Sequence, residues 1–158
     1  MDRPANGDTA PMDVHASVDA PCEPARLLDE VDDLSRYPAW LDLVHRAVRV
    51  AGADAPTWDV ELRARVGPLA RSKRLRMERT VHDPAAGRVV FERREADGRR
   101  HSPWTLSVEI MRSESGSTLA MHLHYGGSLW TGGVLERVLA DQITNGREGL
   151  LQLVQPTH

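Results

Sequence analysis

The sequence predicts an α+β fold, a curved antiparallel sheet of about seven strands packed on one long C-terminal helix, with two short helices after the first strand. Three observations predict it. Apolar and polar residues alternate through most of residues 44–125, the period-two pattern of strands with one covered face. Short turns rich in Gly, Pro and Asp separate those segments, so successive strands run antiparallel. Only residues 134–154 carry apolar side chains at i, i+3, i+4 spacing over a length that covers such a sheet.

Each element has its own signal. Met1 to Pro11 is rich in Pro, Gly and Asp without periodicity and reads as a flexible N-terminal tail, leaving residues 12–156 as one domain. Met12, Val14, Ala16 and Val18 alternate with Asp13, His15, Ser17 and Asp19, a half-buried strand that Ala20-Pro21 ends. Pro24 sits in the first turn of a helix carrying Leu27, Leu28, Val31 and Leu34. Tyr37-Pro38-Ala39-Trp40 breaks it and opens a second short helix through Leu41 and Val44. Strands follow over 44–50, 58–66, 75–81, 89–91, 104–110 and 119–125, with turns at Gly67-Pro68, Asp83–Gly87, Asp97-Gly98 and Ser115-Gly116. Gly126-Gly127 and Gly132-Gly133 bracket a loop carrying Trp130 before the last helix.

Composition bounds the function. The 158 residues are 41% hydrophobic and 27% charged, which suits one soluble globular domain. No apolar run approaches the roughly 18–20 residues of a membrane helix, and no secretory signal precedes Met12, so a cytoplasmic protein without an integral membrane segment is expected. One cysteine, Cys22, excludes an internal disulfide and a Cys-based zinc cage. Charge is uneven along the chain. Residues 1–45 hold 10 acids and 3 bases, residues 46–112 hold 9 and 15, and residues 113–158 hold 4 and 2. The net charge of −3 argues against a dedicated nucleic-acid binder. No phosphate loop, Gly-x-Ser-x-Gly elbow or His-Glu-x-x-His motif is present, and no cofactor or metal is expected.

The order strand, two short helices, about six strands and a long helix resembles the helix-grip fold of the START and polyketide cyclase superfamily (SRPBCC). The resemblance runs from residue 12 to residue 154. It is carried by the opening strand with Ala20-Pro21-Cys22-Glu23-Pro24, by Asp33-Leu34-Ser35-Arg36-Tyr37-Pro38-Ala39-Trp40, and by the Gly-rich break before the last helix. It implies a cavity between sheet and helix for a small hydrophobic ligand, and a monomer or homodimer.

Turn lengths give an expected register. If Gly67 to Ala70 is the first turn, Val66 faces Arg71, Leu62 faces Leu75, Val60 faces Met77 and Trp58 faces Arg79. Val81 facing Val89 brings Arg79 to Phe91, and the turn at Asp97-Gly98 brings Phe91 towards Trp104. The tight turn at 114–117 sets Ile110 on Leu119, Val108 on Met121, Leu106 on Leu123 and Trp104 on Tyr125. The expected inward row is Trp58, Arg79, Phe91, Trp104, Tyr125, with neighbours about 5 Å apart.

Arg79 has two readings, a cation stacked on aromatics and facing a ligand oxygen, or a side chain snorkelling to water at the sheet end. Tyr125 is its candidate proton-transfer partner. The expected cavity wall is Trp58, Met77, Phe91, Trp104, Met121 and Leu123. Trp40 and Trp130 are expected at the rim, and Gly146 marks a helix face that leaves room for a ligand. Arg71 to Arg76 reads as a solvated strand face with Glu61 opposite Arg76, and His122-x-His124 as surface histidines. By the resemblance, the first function is a polyketide cyclase or dehydratase in which Arg79 polarises a carbonyl. The alternatives are a non-catalytic quinone or lipid carrier and a partner-binding protein with a vestigial cavity.

Overall fold

The computed structural model describes residues 12–66, 68–126 and 134–155. Strand β1 (Met12–Ala20) precedes helix α1 (Pro24–Val31) and a 3₁₀ helix (Leu34–Ala39). Strands β2 (Val44–Arg49), β3 (Thr57–Val66), β4 (Leu69–Asp83), β5 (Arg88–Arg93), β6 (Trp104–Ser113) and β7 (Gly116–Tyr125) follow, then helix α2 (Val134–Val154). The strands form one curled antiparallel sheet in the order β1-β7-β6-β5-β4-β3-β2. No helix among the described residues is long and apolar enough to cross a membrane.

The second short helix differs from its expectation. It is a 3₁₀ helix that closes at Ala39, and a turn at Asp42-Leu43, with Val44 N–H donating to Leu41 O at 3.1 Å, leads into β2. Asp33 starts it by accepting the Ser35 N–H at 2.9 Å. Pro38 lacks the amide that continuation as α-helix would need.

The strand faces fall as the alternation predicts, but three registers differ. The β3–β4 loop spans two residues, with Val66 opposite Leu69, which slides β4 by two positions. Leu62 therefore faces Lys73, Val60 faces Leu75 and Trp58 faces Met77. Two-residue loops suit the right-handed twist of paired strands, and an even slip preserves the faces. A bulge between Arg79 and Val81 turns Val81 to Val90, while Arg79 does pair with Phe91. Phe91 then meets Leu106, not Trp104. The β6–β7 pairs stand as expected, from Trp104 on Tyr125 to Ile110 on Leu119.

Aromatic rings fill the core between β3–β5 and the 3₁₀ helix. Phe91 lies edge-on to Trp58 at 5.6 Å and to Tyr37 at 6.4 Å, geometries that the ring quadrupoles favour. Burial raises the Tyr37 pKa far above the usual phenol range, and its hydroxyl donates to Val31 O at 2.8 Å. Glu30 is a buried carboxylate bonded by Arg26 at 2.7 Å and Arg36 at 3.0 Å. Arg26 also donates to Leu153 O at 2.6 Å, which ties α1 to the end of α2.

Candidate ligand cavity

An apolar cavity of about 120 Å³ lies between the inner face of β1, β6 and β7 and the helix α2. Val14 and Ala16 of β1, Leu106 of β6, and Met121 and Leu123 of β7 form its floor. Strand parity puts these side chains on one face because alternate residues point the same way. Trp40, Leu41 and Leu43 close one side, and Ile143, Gly146 and Leu150 of α2 form the roof. Ser17 and the exposed Arg147 are its polar lining groups. A wider cleft of about 730 Å³ on the outer face of β2–β4 is lined by Arg46, Asp59, Glu61, Arg74, Arg76 and Glu95 among others. Its charges offset one another, as in the Arg76–Asp59 pair at 3.0 Å, so the smaller apolar recess has the chemistry of a ligand site.

Of the residues singled out from sequence, Trp40, Met121, Leu123 and Gly146 meet at this cavity. Trp40 is a buried wall and not an exposed rim: it is 7% exposed, and its indole N–H donates to Glu30 O at 3.3 Å. The α2 glycines explain its position. A Cβ on Gly149 would lie 2.9 Å from Trp40 O, and one on Gly146 would lie 3.0 Å from Leu41 Cδ1. These glycines admit the Trp40 segment against the helix, and Gly146 also borders the cavity. Trp130 lies outside the described residues.

Trp58, Met77 and Phe91 are buried in the core beside the 3₁₀ helix. Arg79 is at that end of the sheet too. It donates to Asp32 O at 2.8 Å, and its guanidinium lies 5.9 Å from the Trp58 ring centre. His82 Nε2 meets Asp32 Oδ2 at 3.1 Å, and Trp58 Nε1 donates to Asp33 Oδ1 at 3.1 Å. Burial pushes the Asp33 carboxyl up, yet the Ser35 and Trp58 hydrogen bonds outweigh it and hold the pKa below the ordinary value. Arg79 thus fastens the corner between α1 and the 3₁₀ helix to the sheet.

Tyr125 stands two residues along the strand from the cavity residue Leu123. It is buried and stacked on Trp104 at 4.9 Å. The two-residue slip of β4 replaces the expected inward row. Trp58 faces Met77, Met77 faces Arg93, and Trp104 faces Tyr125. Continuing the β5–β6 register one step past Glu92 and Thr105 brings Arg93 beside Trp104. The inward cation of that row is therefore Arg93, with a side chain 7% exposed, and not Arg79.

Arg93 donates to Glu95 at 2.8 Å, to Ser102 O at 3.2 Å and to His101 Nδ1 at 3.3 Å. A guanidinium only donates, so His101 Nδ1 accepts and its Nε2–H points to Asp97 at 3.0 Å. The Arg99 amide and His101 hold the Asp97 carboxyl below its usual range. Among the described residues, Trp104 Nε1 is buried without a hydrogen-bond partner. The signal for Arg93 was its parity with Phe91, hidden within the charged run Glu92-Arg93-Arg94-Glu95.

On the outer face, His122 and His124 both meet Asp13 Oδ1, at 2.7 and 2.9 Å, and His15 stacks on His122 at 4.2 Å. Their hydrogen bonds lower the Asp13 pKa. Among the described residues, no group of three or more His, Cys, Asp or Glu side chains is placed to hold a metal ion.

A curled seven-stranded sheet gripping a C-terminal helix over an apolar cavity is the START-type helix-grip architecture. The chain belongs to the family described as polyketide cyclase / dehydrase and lipid transport, whose model matches residues 11–155. Among curated proteins none matches the chain. Solved structures sharing the fold include a START superfamily protein from Mycobacterium smegmatis, at 13% identity and TM-score 0.66, covering 90% of this chain and 96% of that one. The Zhui aromatase/cyclase from Streptomyces sp. R1128 has 11% identity and TM-score 0.64, covering 90% and 93%. Major latex-like protein 151 from Panax ginseng has 9% identity and TM-score 0.67, covering 92% and 99%. Family and fold point to hydrophobic-ligand binding.

Proposed function

We propose that this protein holds a small hydrophobic molecule between α2 and the β1–β7–β6 floor, as a binding or carrier protein. The observation that carries the reading is a half-open recess whose lining, among the described residues, is apolar apart from Ser17 and Arg147. Transfer of an apolar ligand from water to such a wall gains roughly 25 cal/mol per Å² buried. Size limits the occupant. About 120 Å³ suits a group of about one ring, whereas sites for drug-sized ligands run to about 300–1,000 Å³. A quinone or a fused-ring molecule requires α2 or the Trp40 segment to shift outwards. Met121, with three rotatable bonds, adapts the floor to different shapes.

Polyketide cyclisation or dehydration is the second reading. It is favoured by the inward row of Arg93, Trp104 and Tyr125, where the buried indole N–H has no acceptor among the described residues. In that reading the Trp104 N–H holds a ligand carbonyl and Tyr125 moves a proton. The cavity lining itself supplies no acid–base pair, which favours carriage.

Native mass spectrometry against benzoquinone, naphthoquinone, anthraquinone and fatty acids tests the first reading. A one-to-one adduct of wild type that Met121→Phe weakens at least tenfold is expected. Folded protein that takes up nothing refutes it. Turnover of a poly-β-ketone analogue, lost in Trp104→Phe while binding persists, would favour the second reading.

A further inference from the structure

We propose that the tip of the β3–β4 hairpin is a docking surface for anionic lipid bilayers. Residues 62–77 carry six cations and no acid, in a chain whose net charge is −3. The end of the hairpin extends past the ladders of its neighbouring strands. β2 last pairs with β3 at Leu62, and β5 last pairs with β4 at Met77. Arg63 N still reaches Leu43 O, and Arg94 N reaches Arg76 O. Beyond these bonds, Ala64 to Val66 and Leu69 to Arg71 pair only with each other.

The end of this finger is apolar. Pro68, Leu69 and Ala70 are exposed, Leu69 to 57%. Arg65 stands opposite Ala70 and Arg71 opposite Ala64, so the two exposed arginines flank the tip on opposite faces of the hairpin. Arg63 and Arg76 are held in ion pairs with Glu61 and Asp59, whereas no such pair engages Arg65 or Arg71 among the described residues. Strand direction places the loop between β5 and β6 at the same end, and its exposed Arg99 and Arg100 likewise have no ion pair there. The acids of that loop are engaged, Glu95 by Arg93 and Asp97 by His101. Asp42, ahead of β2, is an exposed acid at this end.

An apolar tip ringed by cations fits a bilayer, whose surface offers anionic headgroups above an apolar interior. Nucleic acid fits less well, because residues 62–77 contain no aromatic side chain for base stacking. The docking surface does not rest on what the cavity holds. It gives an anionic membrane as the place where cargo is taken up or delivered.

The test is co-sedimentation of the full chain with vesicles of 30% phosphatidylserine in phosphatidylcholine, with phosphatidylcholine vesicles as control. Wild type is expected to bind the anionic vesicles alone, and less so as salt rises from about 50 to 300 mM and the Debye length shortens. Neutralising one cation near the surface weakens partition about fivefold, equivalent to about 1 kcal/mol. Arg65→Gln/Arg71→Gln should therefore lose about 25-fold, and Leu69→Ser should weaken binding with the salt slope unchanged. These positions are exposed, and unchanged thermal melts will verify folding. Equal binding to both vesicle types, no binding at low salt, or variants equal to wild type would overturn the proposal. Hairpin-dependent binding of an oligouridine, with none to vesicles, would also overturn it in favour of nucleic acid.

Discussion

Two glycines three residues apart on α2 should respond to alanine with opposite signs. Alanine gains about 1 kcal/mol over glycine in a helix interior at either site. At Gly149 the new methyl would lie 2.9 Å from Trp40 O and 3.2 Å from Trp40 Cα, both backbone atoms. Backbone cannot swing aside, so α2 and the Trp40 segment must separate, at the overpacking cost of about 1–3 kcal/mol. Gly149→Ala should therefore lose about 1 kcal/mol net. At Gly146 the tight contact is Leu41 Cδ1 at 3.0 Å, the end of a flexible side chain, and the Trp40 ring is an ordinary 3.7 Å away. Leu41 can change rotamer for about 0.5 kcal/mol, which leaves Gly146→Ala more stable by about 0.5 kcal/mol. A chain of this size shifts its Tm by about 2–4 °C per kcal/mol, so the variants should differ by about 3–6 °C in a reversible melt. Urea titration gives the same difference in free energy. A Gly149→Ala protein that melts above wild type would refute the close approach of α2 to Trp40, and with it the cavity wall.

The remaining predictions concern the supports of the site. Glu30→Gln should cost about 1–2 kcal/mol at pH 7, because its arginine partners are 41% and 52% exposed and the pair is partly screened. Burial pushes the Glu30 carboxyl up but Arg36 and Arg26 pull it lower still, so its stabilisation is present above the ordinary carboxylate range and lost as pH falls through the lowered pKa. The difference between wild type and Glu30→Gln in urea melts should accordingly shrink below about pH 4.5. Arg79→Met removes the bond to Asp32 O and the contact with Trp58 and should cost about 1–3 kcal/mol with ligand affinity unchanged. A fall in affinity at unchanged stability would instead bring Arg79 to the ligand. Met121→Phe should block the cavity floor while keeping the melt within about 1.5 kcal/mol of wild type.

The fold was legible because β-parity survives errors of register. Every inward residue of β6 and β7 follows from the tight turn at Glu114–Ser117, and the Trp104–Tyr125 contact with it. The β3–β4 slip was hidden because Gly67 to Ala70 supports a two- or a four-residue loop equally well. Even errors kept each face but changed the cation of the inward row, so Met77 stands where Arg79 was expected and Arg93 where Phe91 was. Trp40 looked like a rim residue because a loop tryptophan is apolar and local sequence does not show what packs on it. The i, i+3 spacing of Gly146 and Gly149 was the available clue, since only a close neighbour on that helix face explains both. Leu41 and Leu43 enter the cavity through tertiary packing that no period reveals, whereas Ile143 lies on the periodic apolar face of the last helix.

Methyl-labelled Met and Leu spectra recorded during titration with naphthoquinone test the central claim most directly. Saturable shifts should fall on Met121, Leu106, Leu123 and Leu150, which line the cavity, and spare Met111 and Leu69, which are 62% and 57% exposed elsewhere. Shifts confined to outer-face methyls, or none at millimolar ligand, would contradict a hydrophobic-ligand site between α2 and the sheet.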